Sequence, residues 1–220
     1  MPLIRPFGIN EFWIIVIAAR WTIALSAIAF VGGGIGGLLI ALLRVSDLRW
    51  PRLLATWFIR VFQGTPLLMQ LFLVFFGMNI LGFAINPWLA ATVALTLHAS
   101  AFLGEIWRGC IEAVPSGQRE AATALGLRYY NRMRYIILPQ ASRIAVAPTV
   151  GFLVQLIKGT SLAAIIGFTE LTRQGQIINN ATFSPFLVFG TVAAVYFVLC
   201  WPLSVLARRM ELRFSRATAR

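Results

Sequence analysis

Apolar residues along the chain fall in five long blocks separated by polar stretches. Each block is long enough to cross a bilayer as a helix, which takes about 20 predominantly apolar residues. The blocks run about Trp21–Leu43, Leu53–Met78, Pro87–Trp107, Ala147–Phe168 and Phe186–Ala207. They are continuous rather than amphipathic, the pattern of a segment that spans a membrane rather than one that lies on it. Phe12–Ala19 is apolar but short, and it lacks the basic cluster and small-residue cleavage site of a signal peptide. It reads as an interfacial helix or as an extension of the first span. The glycines of that span (Gly32, Gly33, Gly34, Gly36 and Gly37) would weaken a helix in water. In lipid they let a neighbouring helix approach closely.

Composition agrees with this pattern: 59% of the 220 residues are hydrophobic and only 12% charged. A soluble domain carries about twice that charged fraction, and the mean hydropathy is +0.82. The formal net charge of +12 comes almost entirely from arginine. No soluble basic domain exists to carry nucleic-acid binding, so the charge reads as a topology signal. Arg44, Arg49 and Arg52 follow the first block. Arg108, Arg119, Arg128, Arg132, Arg134 and Arg143 follow the third, and Arg208, Arg209, Arg213, Arg216 and Arg220 form the tail. The connection after the second block has no charge, and that after the fourth has only Glu170 and Arg173. This alternation places the N-terminus outside and the C-terminus in the cytoplasm, which requires an odd number of spans. The expected fold is therefore an all-α integral membrane protein with five transmembrane helices, a single domain over residues 1–220. Cys110 and Cys200 have no disulfide or metal-type spacing.

One connection is anomalous. Residues 108–146, on the cytoplasmic side, are far longer than the other loops and carry helical punctuation; a long ordered loop is usually functional. Pro115-Ser116-Gly117 breaks the chain. Gln118–Leu125 ends at Gly126 as a short helix with a glycine stop, and a second short helix, about Tyr129–Ile137, is expected to stop before Pro139. Two short helices at the membrane face have little core of their own, so this is expected to be a docking element for a partner.

The loop reads Glu120-Ala121-Ala122, three residues, Gly126, nine residues, Ile136, one residue, Leu138-Pro139. This resembles the EAA signature of ABC importer permeases at every position. Gly64-Thr65-Pro66-Leu67-Leu68, Glu105, Arg108-Gly109, Val114–Gln118, Lys158, Thr160-Ser161-Leu162 and Glu170-Leu171 extend the resemblance to the polar amino-acid and opine group of that family. The sequence departs from the group at Gln63, where arginine is common, and at Gly159, where aspartate is common. The resemblance implies a permease subunit paired with a second permease, identical or homologous, in a bacterial inner membrane. A cytoplasmic ATP-binding subunit dimer and an extracytoplasmic solute-binding protein complete the implied assembly. The chain carries no GxxxxGK[ST] phosphate loop, so ATP and Mg2+ are expected in the partner ATPase and no cofactor in this chain.

Polar residues inside the apolar blocks are the candidates for a substrate pathway or gate. Lys158 lies about ten residues into the fourth span, roughly 15 Å along the helix, and an ammonium at that depth marks a functional position. It is expected to attract a substrate carboxylate, to pair with Glu105 or to face another subunit. Thr160 and Ser161 follow it, and Gln155 shares its helix face. His98 sits midway along the third span, where a lone histidine is more often a packing residue than a ligand. Gln63, with Thr65 and Pro66, marks a point where the second span can bend, because proline removes a backbone donor. Two rival readings remain: a channel, and an intramembrane enzyme using His98 with Ser161. Neither accounts for the docking loop.

Overall fold

In the computed structural model the described residues are 6–218, with side chains through Leu212. The side chains of Arg213, Arg216 and Arg220, assigned above to the basic tail, lie outside the described part. The described residues form eight helices: α1 (Ile9–Arg44), α2 (Arg49–Gly64), α3 (Leu67–Ile80), α4 (Pro87–Glu112), α5 (Ser116–Ala124), α6 (Tyr129–Ala164), α7 (Leu171–Thr182) and α8 (Pro185–Thr218). No strand occurs among them. Four helices, α1, α4, α6 and α8, are long and apolar enough to cross a membrane. The bent pair α2–α3 brings the count to five when it is taken as one span.

Helix α1 begins at Ile9 rather than near Trp21, so Phe12–Ala19 extends the first span. Its most extensive contact is with α4, and the glycines are the reason. A Cβ on Gly37 would lie 2.9 Å from the Leu103 Cβ and 3.0 Å from the Gly104 amide nitrogen, and one on Gly104 would meet Ile40 at 2.7 Å. The two backbones therefore cross at a distance that only residues without side chains allow. Leu25, Ala29, Leu95, Ala99 and Leu103 fill the core beside this crossing, with Leu71, Phe152 and Leu156 closing it from α3 and α6.

The second span is not the single helix expected over Leu53–Met78. It breaks at Thr65-Pro66, and α2 and α3 meet at 105°. The residue before a proline is pushed out of the helical region, and Thr65 is extended at φ −117°, ψ 141°. Helix α2 buries Ala55 and Ile59. Trp50, Leu54, Trp57 and Val61 form one exposed stripe, and the Arg60 guanidinium lies over the Trp57 ring.

The fourth span also differs from expectation. Pro139 does not end a separate short helix, because α6 runs unbroken from Tyr129 to Ala164. A π turn over Met133–Ile137 ends two positions before the proline. Such a widened turn is where a continuous helix absorbs a residue that cannot complete its hydrogen-bond ladder. The second arm of the hairpin is thus the first turns of the spanning helix. Helix α7, in the connection between the fourth and fifth blocks, was not expected. Gly175 lets it seat against Val188 and Val192 of α8.

Candidate functional site

The docking element is built on α5. Val114 is buried at its root, and Ala122 turns inward as the one buried residue of the helix. Glu120, Ala121, Thr123 and Ala124 remain exposed. The helix ends as the sequence pattern required: Gly126 has φ +73°. The Leu127 amide donates to the Ala122 carbonyl at 3.1 Å and the Gly126 amide to the Thr123 carbonyl at 2.9 Å. This pair of bonds is the Schellman stop, whose left-handed residue is normally glycine. Side chains then fasten α5 to its neighbours. Arg119 donates to the Ile111 carbonyl at 2.7 Å, Arg132 to the Thr123 hydroxyl at 2.9 Å, and Gln140 to Gln118 at 3.4 Å. Ile137 is fully buried, Ile136 and Leu138 are half-buried, and Pro139 is exposed. Ile137 joins Ala41, Ile111, Val114, Met133 and Ala141 in an apolar cluster uniting the ends of α1, α4 and α6 nearest α5.

Beside this cluster lies a charge network. The expected Glu105–Lys158 pair does not form. Glu105 instead accepts from Arg108 Nε at 2.9 Å and Nη2 at 2.5 Å, with Arg44 Nη2 3.9 Å away. Arg108 is one turn further along the same helix, where side chains three residues apart are neighbours, and it also pairs with Glu112. Arg44 donates at 2.7 Å to the Thr56 hydroxyl, so the network links α1, α4 and α2. Lys158 is exposed, on a part of α6 whose next residue, Gly159, abuts Leu67 of α3. Among the described residues no ion pair involves it.

The other membrane candidates divide into two groups. Gln63, Thr65, Pro66 and Gln155 are exposed. Because Gly159 touches Leu67, the Lys158–Ser161 turn lies against the start of α3, directly after Thr65-Pro66. Thr160 is buried and donates to the Ile157 carbonyl at 2.7 Å; Ser161 donates to the Lys158 carbonyl at 2.7 Å. His98 is buried between helices. Its ring stacks with Phe102 and Phe152, and its Nδ1 lies 3.0 Å from Gln70 Oε1. His98 and Ser161 therefore have separate partners and form no base–nucleophile pair.

Three polar residues have roles that the sequence reading did not assign. Gln70 is buried at the break in the second span; its position four residues after Pro66 was the available signal. Glu170 is fully buried and caps α7. It accepts from the Arg173 amide at 3.0 Å, Tyr196 Oη at 2.9 Å and Thr22 Oγ1 at 3.3 Å, tying α7 to α8 and α1. Trp107 Nε1 donates to Thr149 Oγ1 at 2.8 Å between α4 and α6. Apart from Arg173, these partners are far away in the chain: Tyr196 and Thr22 lie 26 and 148 residues from Glu170, and Thr149 lies 42 from Trp107, separations that no local pattern encodes.

This arrangement, spanning helices with a rigid helical projection fused to them, has counterparts among known proteins. Residues 33–218 match the family described as binding-protein-dependent transport system inner membrane component. The chain belongs to that family. It is 35% identical over 211 residues to the probable amino-acid ABC transporter permease protein YckA of Bacillus subtilis, covering 94% of this chain and 92% of the relative. It is 34% identical to the glutamine transport system permease protein GlnP of Escherichia coli, covering 91% and 92%. A solved amino acid ABC transporter, crystallised with histidines, superposes with a TM-score of 0.86 at 36% identity, covering 91% of this chain and 94% of that one. The MetNI methionine ABC transporter shares the fold, with a TM-score of 0.78 at 20% identity.

Proposed function

We propose that this chain is the membrane-spanning permease subunit of a bacterial ABC importer and carries a polar amino acid or amino-acid-like solute across the inner membrane by alternating access. The observation that carries this reading is the α5 projection. Its outer face, with Glu120, is free, while its inner face and both roots are fused to spanning helices. A projection of this kind transmits a push, whereas a floppy loop would absorb it. A cytoplasmic ATPase dimer binding ATP and Mg2+ supplies that push, with Glu120, Ala121, Ala122, Gly126, Ile136, Leu138 and Pro139 forming the coupling segment. The N-terminus lies outside, as the arginine distribution requires. A second permease subunit, identical or homologous, completes the pathway, and an extracytoplasmic binding protein delivers the solute. In this reading Lys158, with the Ser161 turn, Gln155, and the Gln63–Pro66 break, borders the pathway, where water rather than lipid solvates the ammonium.

Reconstituting the chain with its ATPase and binding protein in vesicles tests this. ATP-dependent accumulation of a labelled amino acid is expected from a panel of polar amino acids and opines. Downhill flux that needs no nucleotide would make the chain a channel instead.

A further inference from the structure

We infer that Gln70 and His98 form a clamp that sets the angle between the two halves of the broken second span, so that both are positioning residues for the transport cycle. The inference rests on the permease reading above.

The clamp follows from one missing atom. In an unbroken helix the carbonyl of Phe62 would accept from the amide of residue 66, and Pro66 has none. Gln70 replaces it. Its Nε2 donates to the Phe62 carbonyl at 2.7 Å and also reaches the Thr65 carbonyl and the Thr65 hydroxyl, each at 3.0 Å. The Thr65 hydroxyl in turn donates to the Val61 carbonyl at 2.8 Å. With two carbonyls on one side of the amide, that side must be the NH2, and Oε1 must face His98. An amide oxygen only accepts, so His98 Nδ1 must carry the proton. Phe102, one turn further along α4, lies 4.4 Å from the imidazole centroid to centroid, and Phe152 of α6 faces it from across the helix interface at 6.5 Å.

One buried amide thus ties the end of α2 and the break to α4, where an ordinary span would have a continuous backbone ladder. The backbone just before the break is unpacked: a side chain added at Gly64 would meet nothing within 4 Å. Leu67, the first residue after the break, touches Gly159 beside Lys158. The α2–α3 angle therefore decides how the break sits against the Lys158–Ser161 turn. Changing that angle costs a few side-chain hydrogen bonds and leaves both helices intact.

The test uses the complete complex in vesicles with His98→Asn, His98→Gln, His98→Leu and Gln70→Leu. Asparagine places its amide nitrogen near the position of Nδ1, while glutamine carries it out toward Nε2. Spin labels at Trp57→Cys on α2 and Leu73→Cys on α3, both exposed, report the angle, and solute carried per ATP reports coupling. Gln70→Leu, His98→Leu and His98→Gln are expected to broaden the distance distribution and to lower solute per ATP about tenfold. His98→Asn is expected to hold both within about twofold of the starting protein. Identical behaviour of the asparagine and glutamine variants, or an unbroadened distribution in Gln70→Leu, would overturn the clamp. A starting complex that accumulates no solute with ATP would defeat the permease reading instead, and the distance measurement would still judge the clamp.

Discussion

Gly126 offers the cleanest perturbation of the projection. Its φ of +73° is a left-handed conformation, and a Cβ added there would meet nothing within 4 Å. Substitution therefore introduces backbone strain without a clash. For an ordinary L-residue the left-handed region costs about 1–2 kcal/mol. A β-branched residue is worse, and asparagine is tolerated best. The strain is relieved by abandoning the two bonds that end α5, from Leu127 to Ala122 and from Gly126 to Thr123. Losing 1–2 kcal/mol shifts the ordered fraction of so short a helix by a factor of about 5–30. The expected order of solute carried per ATP in reconstituted vesicles is glycine, asparagine, alanine, valine. Gly117→Ala serves as the control, because Gly117 has neither a positive φ nor a close neighbour, and it should stay close to the starting value. If Gly126→Val coupled as well as glycine, or Gly126→Asn proved worse than Gly126→Val, a rigid α5 would not be what transmits the push.

Glu120→Arg reverses the charge on the free face of α5 without touching its packing. It is expected to leave the subunit inserted and assembled while reducing solute carried per ATP by about tenfold, the loss of one charge-assisted contact; unchanged coupling would remove Glu120 from the interface. Lys158→Ala is expected to lower uptake, or to weaken complex assembly on size-exclusion chromatography, and a variant normal in both would make the lysine incidental. Gly37→Val forces a side chain into the Leu103–Gly104 backbone contact. It should destabilise the α1–α4 pair by about 1–3 kcal/mol, seen as a lower melting temperature of the detergent-solubilised complex; an unchanged melting temperature would show that the crossing relaxes freely.

Much of this was legible in the sequence because its physics is local. Apolar length located four continuous spans, and glycine spacing in the first one announced a close crossing. The Gly126 stop appeared where a left-handed cap was needed. The failures have equally local causes. Proline was read as punctuation at Pro139, where a preceding π turn lets the helix continue, and only as a bend at Pro66, where the chain breaks by 105°. A residue-by-residue pattern does not distinguish these cases, because the deciding feature is how neighbouring groups re-satisfy the freed carbonyl. At Pro66 that group was Gln70, a residue the apolar pattern had absorbed into the span. The Glu105–Lys158 pair failed for a related reason. Neither span encodes which residues of the other it meets, and Arg108, one turn away on the same helix, had prior claim to the carboxylate.

The distribution of stiffness in the bundle gives these details a common direction. A displacement of α5 reaches α1, α4 and α6 together, because their ends nearest it share the apolar cluster of Ala41, Ile111, Val114, Met133, Ile137 and Ala141. Close-packed clusters transmit strain rather than absorb it. Helix α2 moves with them through the Arg44–Thr56 hydrogen bond and the Ile40–Ala55–Ile59 contact. At its far end, Gly64-Thr65 is the point where that chain of rigid contacts meets backbone with no helical ladder. Relative motion has least to break there, and what resists it is side-chain hydrogen bonding centred on Gln70. A variant that weakens α5 and one that weakens the clamp should therefore both lower solute carried per ATP. They should do so in different ways: the first leaves the α2–α3 angle narrow and unresponsive to nucleotide, whereas the second makes it broad whether or not nucleotide is bound.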